Sequence, residues 1–363
     1  MRVVNGWLAC IWRSSVLLFA VLAAMPVAAQ RAKGAAAVTC ATCHAGVVSS
    51  YAQAPMRHAI EPDGANPQLA THPDLKATIG GYSYSVQTKD GKTTYSVSDG
   101  ANTITLPVHY FFGQKTQTWV LEKDGHLYEG MVSYFPRING LDITPGDQVI
   151  TPHTLEEAMG RKLPIWESRK CFECHGSGIE PGVPLEPAKI KPGLECEHCH
   201  VGAQQHMEDA AKDNFKTLPP SLKKLDSESL SNFCGQCHRS WENVVRNRWH
   251  GIAFVRFQPY RMALSRCFTG NDARIGCVAC HDPHKPLVQD QKFYDSKCLA
   301  CHGEQAHSVA SMEKAPLPMM KTCPVAKENC VSCHMPKVEL PGGHALFTDH
   351  FIRIVKPGEA YQY

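Results

Sequence analysis

Seven copies of one five-residue pattern, C-x-x-C-H, constrain this chain more than anything else in it. They are Cys40/Cys43/His44, Cys171/Cys174/His175, Cys196/Cys199/His200, Cys234/Cys237/His238, Cys277/Cys280/His281, Cys298/Cys301/His302 and Cys330/Cys333/His334. At the chain's own Cys and His frequencies, random order would give only about 0.04 copies, so the repetition reflects required chemistry. Two thiols three positions apart can form thioethers with the two vinyl groups of one haem, while the adjacent imidazole turns back onto the iron. Structural zinc is the rival use of paired C-x-x-C units, but zinc needs no histidine directly after every second cysteine. All seven pairs have one. The pattern therefore reads as seven covalently attached c-type haems, with those seven histidines as proximal iron ligands.

The spacing of the boxes dictates an architecture. Six of them fall between Cys171 and His334, roughly 27 residues per haem. That is too little chain to bury each haem in its own domain, so the porphyrins must supply much of the apolar core. The expectation is a mainly α and irregular multihaem fold with haems forming much of the core, plus a small antiparallel β meander inserted after the first haem. The meander is read from about Gly80 to Pro136, where Tyr82–Val86, Thr94–Val97, Thr103–Leu106, Thr118–Leu121 and His126–Val132 are rich in β-formers. Asp90-Gly91, Asp99-Gly100 and Asp124-Gly125 punctuate them as hairpin turns. The resulting organisation is a signal peptide over 1–29, a first haem-binding segment over 30–78, a β-rich insertion over 79–150, a six-haem domain over 151–336, and a tail over 337–363 that carries distal histidine candidates. On this reading the meander separates the first haem from the other six and serves as a cap or a partner-docking face.

The signal peptide is read from two early arginines, an apolar run from Ser14 to Met25, and small residues before a cut after Ala29. Its apolar core is short for a membrane span, and no later stretch is long enough, so no span is expected in the mature chain. The formal net charge of +3 comes from scattered basic residues. This argues against a nucleic-acid partner. Sixteen cysteines remain after the cut. Fourteen are in the boxes and two, Cys267 and Cys323, are spare, which leaves a Cys267–Cys323 bridge or two buried thiols open.

A sixth ligand for each iron must come from elsewhere in the chain. His58, fourteen residues past His44, is far enough along to serve its own haem or a neighbour's. His206, His250, His344 and His350 are further distal candidates, and His284 follows His281 by only three residues. Three residues cannot carry a side chain round the plate of its own porphyrin, so His284, if a ligand, serves a different haem. His109, in an aromatic setting beside a strand, fits a distal ligand, a proton donor over an open haem, or a core histidine. His72, His126, His153, His198 and His307 have weaker cases. Arg256 and Arg261 are placed to pair with propionates.

Several of these runs resemble known proteins. Phe233-Cys234-Gly-Gln-Cys237-His238, Arg256-Phe-Gln-Pro-Tyr-Arg, Ser265-Arg-Cys267, Cys277-Val-Ala-Cys280-His281-Asp-Pro-His284, Cys323-Pro-Val, Cys330-Val-Ser-Cys333-His334-Met-Pro-Lys and Phe347-Thr-Asp-His350 are similar to exported bacterial multihaem c-type cytochromes related to the cytochrome c554 and hydroxylamine oxidoreductase group. The resemblance covers Trp166 to Val355 well and the first box moderately. It implies a multihaem cytochrome c fold with stacked and perpendicular haem pairs, mostly bis-histidine ligation, a ligand role for His284 at another haem and a distal role for His350. The C-x-x-C-K active haem of ammonia-forming nitrite reductases in the wider group is missing. Hydroxylamine chemistry, moreover, usually travels with eight haems.

The function expected from this is periplasmic electron transfer between respiratory partners, with redox partner proteins in the periplasm or cell envelope. The competing expectation is a reductase or oxidase of a small nitrogen or sulfur oxyanion, or of a hydroxylamine-like substrate, at one five-coordinate haem. The first haem would be the site, with His109 or Arg57 as proton donor or anion clamp.

Overall fold

The computed structural model describes residues 38–64, 66–180, 182–268, 274–303, 323–356 and 358–361. The signal segment and His307 lie outside them.

A nine-stranded antiparallel sheet dominates the first half of the chain. Its path runs β2 (Asp74–Ile79), β3 (Tyr82–Lys89), β4 (Lys92–Ser98), β5 (Thr103–Phe112), β6 (Gln117–Lys123), β7 (His126–Phe135) and β8 (Gly140–Ile143), with β1 (Ile60–Pro62) on β5 and β9 (Gly160–Lys162) on β7. The two ends of the path, β2 and β8, come together, so the sheet is nearly barrel-shaped. The expectation of a mainly α and irregular fold with only a small meander is corrected by this. Gly80-Gly81 does not open the β region: both residues have positive φ (60° and 88°) and form the hairpin turn between β2 and β3. Asp90-Gly91 and Asp124-Gly125 also have positive φ at both positions and turn the next hairpins as read.

Alternation along these strands builds an aliphatic and aromatic interior. Val86, Tyr95, Val97, Trp119, Leu121 and Val132 are fully buried within it. The short helix α3 (Leu155–Met159), capped by Thr154, adds Ala158 and Met159 to that interior. A second cluster joins the sheet to the haem-box region. There Tyr110 and Val120 meet Ile60, Leu163, Ile190 and Phe172, the last on α4 (Ile165–His175).

The remaining helices are short. In chain order they are α1 (Cys40–Tyr51) and α2 (Pro67–Thr71) before the sheet, then α5 (Cys196–Cys199), α6 (Ala203–Ala210), α7 (Ser227–His238), α8 (Trp241–Arg246), α9 (Gln258–Ala263), α10 (Cys277–Cys280), α11 (Gln291–His302) and α12 (Cys330–His334). A final hairpin pairs β12 (Lys337–Leu340) with β13 (Ala345–Thr348), and β10 (Gly176–Ser177) pairs with β11 (Lys191–Pro192). Past Val255 the apolar interior stops. Among the described residues, the side chains buried there are Pro259, Arg261, Ser265, Asp295 and Asp349. Among the described residues, no helix is long and apolar enough to cross a membrane.

Candidate haem centre

Every box lies on a helix, because C-x-x-C within one turn puts both thiols on the same side. In α4, α7 and α11 the box is the last turn; α5, α10 and α12 are little more than the box itself. None of the described cysteines forms a disulfide, so Cys267 and Cys323 are not joined.

The chain folds so that boxes distant in sequence meet. Cys40 lies close enough to Cys196 for the two thiols to perturb one another, and so do Cys174 and Cys237, Cys234 and Cys277, and Cys298 and Cys330. Cys199 raises both Cys234 and Cys237, and α10 packs on α11. Box one is thus remote from the others in sequence but not in space. Gly193, at φ 69°, is the reason for its approach to box three: a Cβ there would meet the Arg57 carbonyl oxygen, and Leu194 N–H donates to Met56 at 3.1 Å. Arg57 itself donates to the Pro192 carbonyl at 2.6 Å.

Not every predicted attachment cysteine faces a neighbouring box. Cys43 is exposed on α1 rather than enclosed between boxes. Cys301 is half-buried on α11, with its thiol near the spare Cys267, which it helps burial to push up. Cys333 is exposed as Cys43 is, whereas burial pushes Cys280 up.

The histidines pair across these contacts. His284 faces the box-three His200 with ring centroids 6.0 Å apart and planes within 11°, and His350 faces the box-five His281 at 6.2 Å. Two imidazole nitrogens on one metal, each about 2.0 Å from it, put the ring centroids roughly 6 Å apart, so both spacings suit a shared iron. Backbone contacts hold the rings. Ser50 donates to the His284 carbonyl at 2.8 Å and the Tyr51 ring stands edge-on to His284, while His350 Nδ1 is bonded to the Thr348 carbonyl at 3.0 Å. His175, His334, His206 and His250 are likewise bonded through Nδ1 to the carbonyls of Ala59, Arg353, Thr217 and Arg248. With the proton on Nδ1, the Nε2 lone pair points away, which is the form that ligates a metal. Burial pulls His175, His238 and His281 below the ordinary imidazole range, and pulls His350 down to about 4.

Residues 269–340 match the family model for cytochrome c3, and residues 151–201 match that for cytochrome c554 and c-prime. These matches support a multihaem c-type cytochrome. Such proteins carry covalently bound haem iron and transfer electrons with it. No curated protein and no solved structure matches the chain. The residues present fit the group: free thiols in pairs, imidazoles with an open Nε2, and, past Val255, described buried side chains too few and too polar to make an interior.

Other candidates are otherwise engaged. His109 is the extra residue at a bulge where the β5–β6 register shifts between Val108 and Tyr110. Its exposed ring pairs with Glu122 at 2.9 Å. His344 pairs through Nε2 with Asp142 at 2.6 Å, tying the final hairpin to β8. His58 is bonded at both nitrogens, to Glu61 and to the Ala52 carbonyl. His44 and His302 are exposed at their boxes.

Arg261, expected to meet a propionate, instead makes a fully buried two-pronged pair with Asp349, Nε to Oδ1 and Nη2 to Oδ2 at 2.8 Å each. A buried guanidinium takes the partner that satisfies its fork within the fold. Arg353 adds a third bond to Asp349 at 2.8 Å, and the rings of Phe351 and Tyr361 cover Arg261. This network fixes the residue next to His350. A second carboxylate with no signal in the sequence is Asp295 on α11. It accepts from Asn329 and Cys330 at 2.7 and 2.8 Å, and so clamps the box-six helix to the start of the box-seven helix.

Proposed function

We propose that this chain is a heptahaem electron-transfer protein of the cell envelope, with mostly bis-histidine irons, working between redox partner proteins in the periplasm. The observation that carries the reading is the close approach of the boxes to one another. Box one lies near three, three near four, four near five, five packs beside six, and six lies near seven, while box two branches from four.

In this reading each cysteine pair, Cys40 with Cys43 and Cys298 with Cys301 among them, would hold one haem by two thioethers. The following histidine would be one ligand of each haem iron, and His284 and His350 would be second ligands for boxes three and five. His206 and His250, with Nε2 open, are the candidates for two more. Each haem supplies a one-electron ferric/ferrous couple. Bis-imidazole ligation favours the low end of the range, since a methionine ligand raises the potential. The protein's own task is to hold edges close, keep imidazoles neutral through burial, and shield the box-two histidine under Phe112 and Phe172.

Intact-mass measurement of the mature holoprotein tests the haem number; fewer than seven refutes it. Electron paramagnetic resonance of the oxidised form tests the role. Low-spin signals alone are expected, and a high-spin signal that shifts with nitrite or hydroxylamine would establish the reductase or oxidase reading instead.

A further inference from the structure

We propose that Asp147, buried between the sheet and α4, is a proton-linked tuning site for the redox centre held by Cys171 and Cys174. This rests on the electron-transfer reading above and assigns the sheet a part in it.

Asp147 follows β8 in a turn fixed by its own N–H to Thr144 and by Ile150 N–H to its carbonyl, at 3.0 and 2.8 Å. Its side chain is 6 % exposed, and Oδ2 has no hydrogen-bond partner. Among the described residues the cation facing it is Arg161 of β9, whose Nε stands 3.7 Å from Oδ1. That guanidinium is already bonded to Glu129 of β7 and Glu167 of α4. Three carboxylates therefore share one positive charge in a half-buried cluster. Such a cluster retains a proton more readily than isolated acids do. Burial first, then Glu129, with Glu167 a smaller addition, overcome Arg161 and push Asp147 up to about 6.

The cluster lies against the box. Glu167 is four residues before Cys171, one helical turn away on the same face of α4. Burial, then Glu129 and Glu167, push the Cys171 thiol up to about 11, so the two carboxylates that share Arg161 with Asp147 are felt at the attachment point. Box two is also the branch of the series, lying near box four at Cys174 and Cys237 and touching the sheet through Phe172.

The coupling balances simply. An electron arriving at the second centre from the fourth turns ferric iron ferrous and removes one positive charge, and a proton from solvent then binds the Asp147 carboxylate. By linkage, deprotonation of Asp147 favours the ferric state, so the potential of this centre falls as pH rises through about 6. A tenfold difference in proton affinity between the two redox states corresponds to about 59 mV.

The test is spectroelectrochemical titration of the full holoprotein from about pH 4.5 to 8, with reduced-minus-oxidised infrared spectra near pH 6. One couple is expected to rise toward low pH, with a protonated-carboxyl band appearing on reduction. Asp147→Asn should abolish both. Glu129→Gln, which frees Arg161 for Asp147, should move the transition to lower pH, and this second variant decides the matter if Asp147→Asn does not mature. An unchanged pH profile in either variant, with haem on the Cys171–Cys174 peptide, overturns this proposal alone. A haem-free Cys171–Cys174 peptide overturns it together with the seven-haem reading.

Discussion

Asp349→Asn is the sharpest perturbation the structure offers. The change keeps shape but removes the charge facing a guanidinium that is 0 % exposed, and turns an acceptor into an amide donor aimed at Arg261 or Arg353. Removing one member of a buried ion pair costs about 3–5 kcal/mol. The rings of Phe351 and Tyr361, 5.3 and 4.6 Å from the guanidinium carbon, offset part of that, about 1 kcal/mol. The net expectation is a loss near 3 kcal/mol. With a urea m-value of about 3 kcal/mol/M, this lowers the midpoint by roughly 1 M. The damage should also reach the iron. Asp349 accepts from Phe351 N–H at 3.1 Å, and Ser265 bonds the His350 carbonyl at 3.2 Å and Ile352 N–H at 2.8 Å. The His350 ring, 6.2 Å from His281, is therefore positioned from both sides. One low-spin haem signal should become high-spin. The charge-free double variant Arg261→Met/Asp349→Leu should recover most of the stability, because no buried charge is left unpaired. A single variant costing under about 1 kcal/mol, or a double variant as unstable as the single, would refute the reasoning.

Three further outcomes follow from the same geometry. His284→Ala should convert one haem, that of box three, to high spin and leave the rest low spin; unchanged signals would break the His200–His284 pairing. Asp295→Ala removes a charged acceptor from two amides, at about 2 kcal/mol, so hydrogen exchange at Asn329 and Cys330 should quicken roughly 30-fold, and unaltered protection would exclude the clamp. Asp147 binds its proton more tightly folded, at about 6, than unfolded, at its ordinary 3.8. Its contribution to stability is therefore fully present below pH 4 and is lost as pH rises to 6. Asp147→Asn should flatten that stretch of the stability–pH curve, and an unaltered slope would count against the raised value.

Much of the redox chemistry was legible in the sequence, because C-x-x-C-H is local: one turn of backbone carries the whole attachment site. The reach argument for His284 also needed only spacing, and the structure brings its ring to His200. Four things were not legible. The extent of the sheet was missed because Gly80-Gly81 looks the same as a boundary or as a hairpin turn until β2 is seen beside β3. The engagement of His109, His344 and Arg261 depends on partners 13, 202 and 88 residues away, Glu122, Asp142 and Asp349, and no local pattern announces such pairs. The nearness of box one to box three is set by a glycine, Gly193, whose role shows only when Arg57 lies against it. Which thiol of a box turns inward is likewise hidden, since Cys40 and Cys43, or Cys298 and Cys301, are equivalent in the pattern until the helix has been docked.

The uneven distribution of buried apolar side chains bears on how the protein is made. The sheet encloses its own interior from residues such as Val86, Trp119 and Leu121 and needs nothing added to do so. The stretch beyond Val255 has no comparable interior of its own among the described residues. The expected order of folding is the β region first, with α4 seated on it through Phe172, and the stretch beyond Val255 only once haem supplies its apolar mass. A haem-free chain should keep a protease-resistant β fragment and lose protection beyond Val255, as limited proteolysis would read.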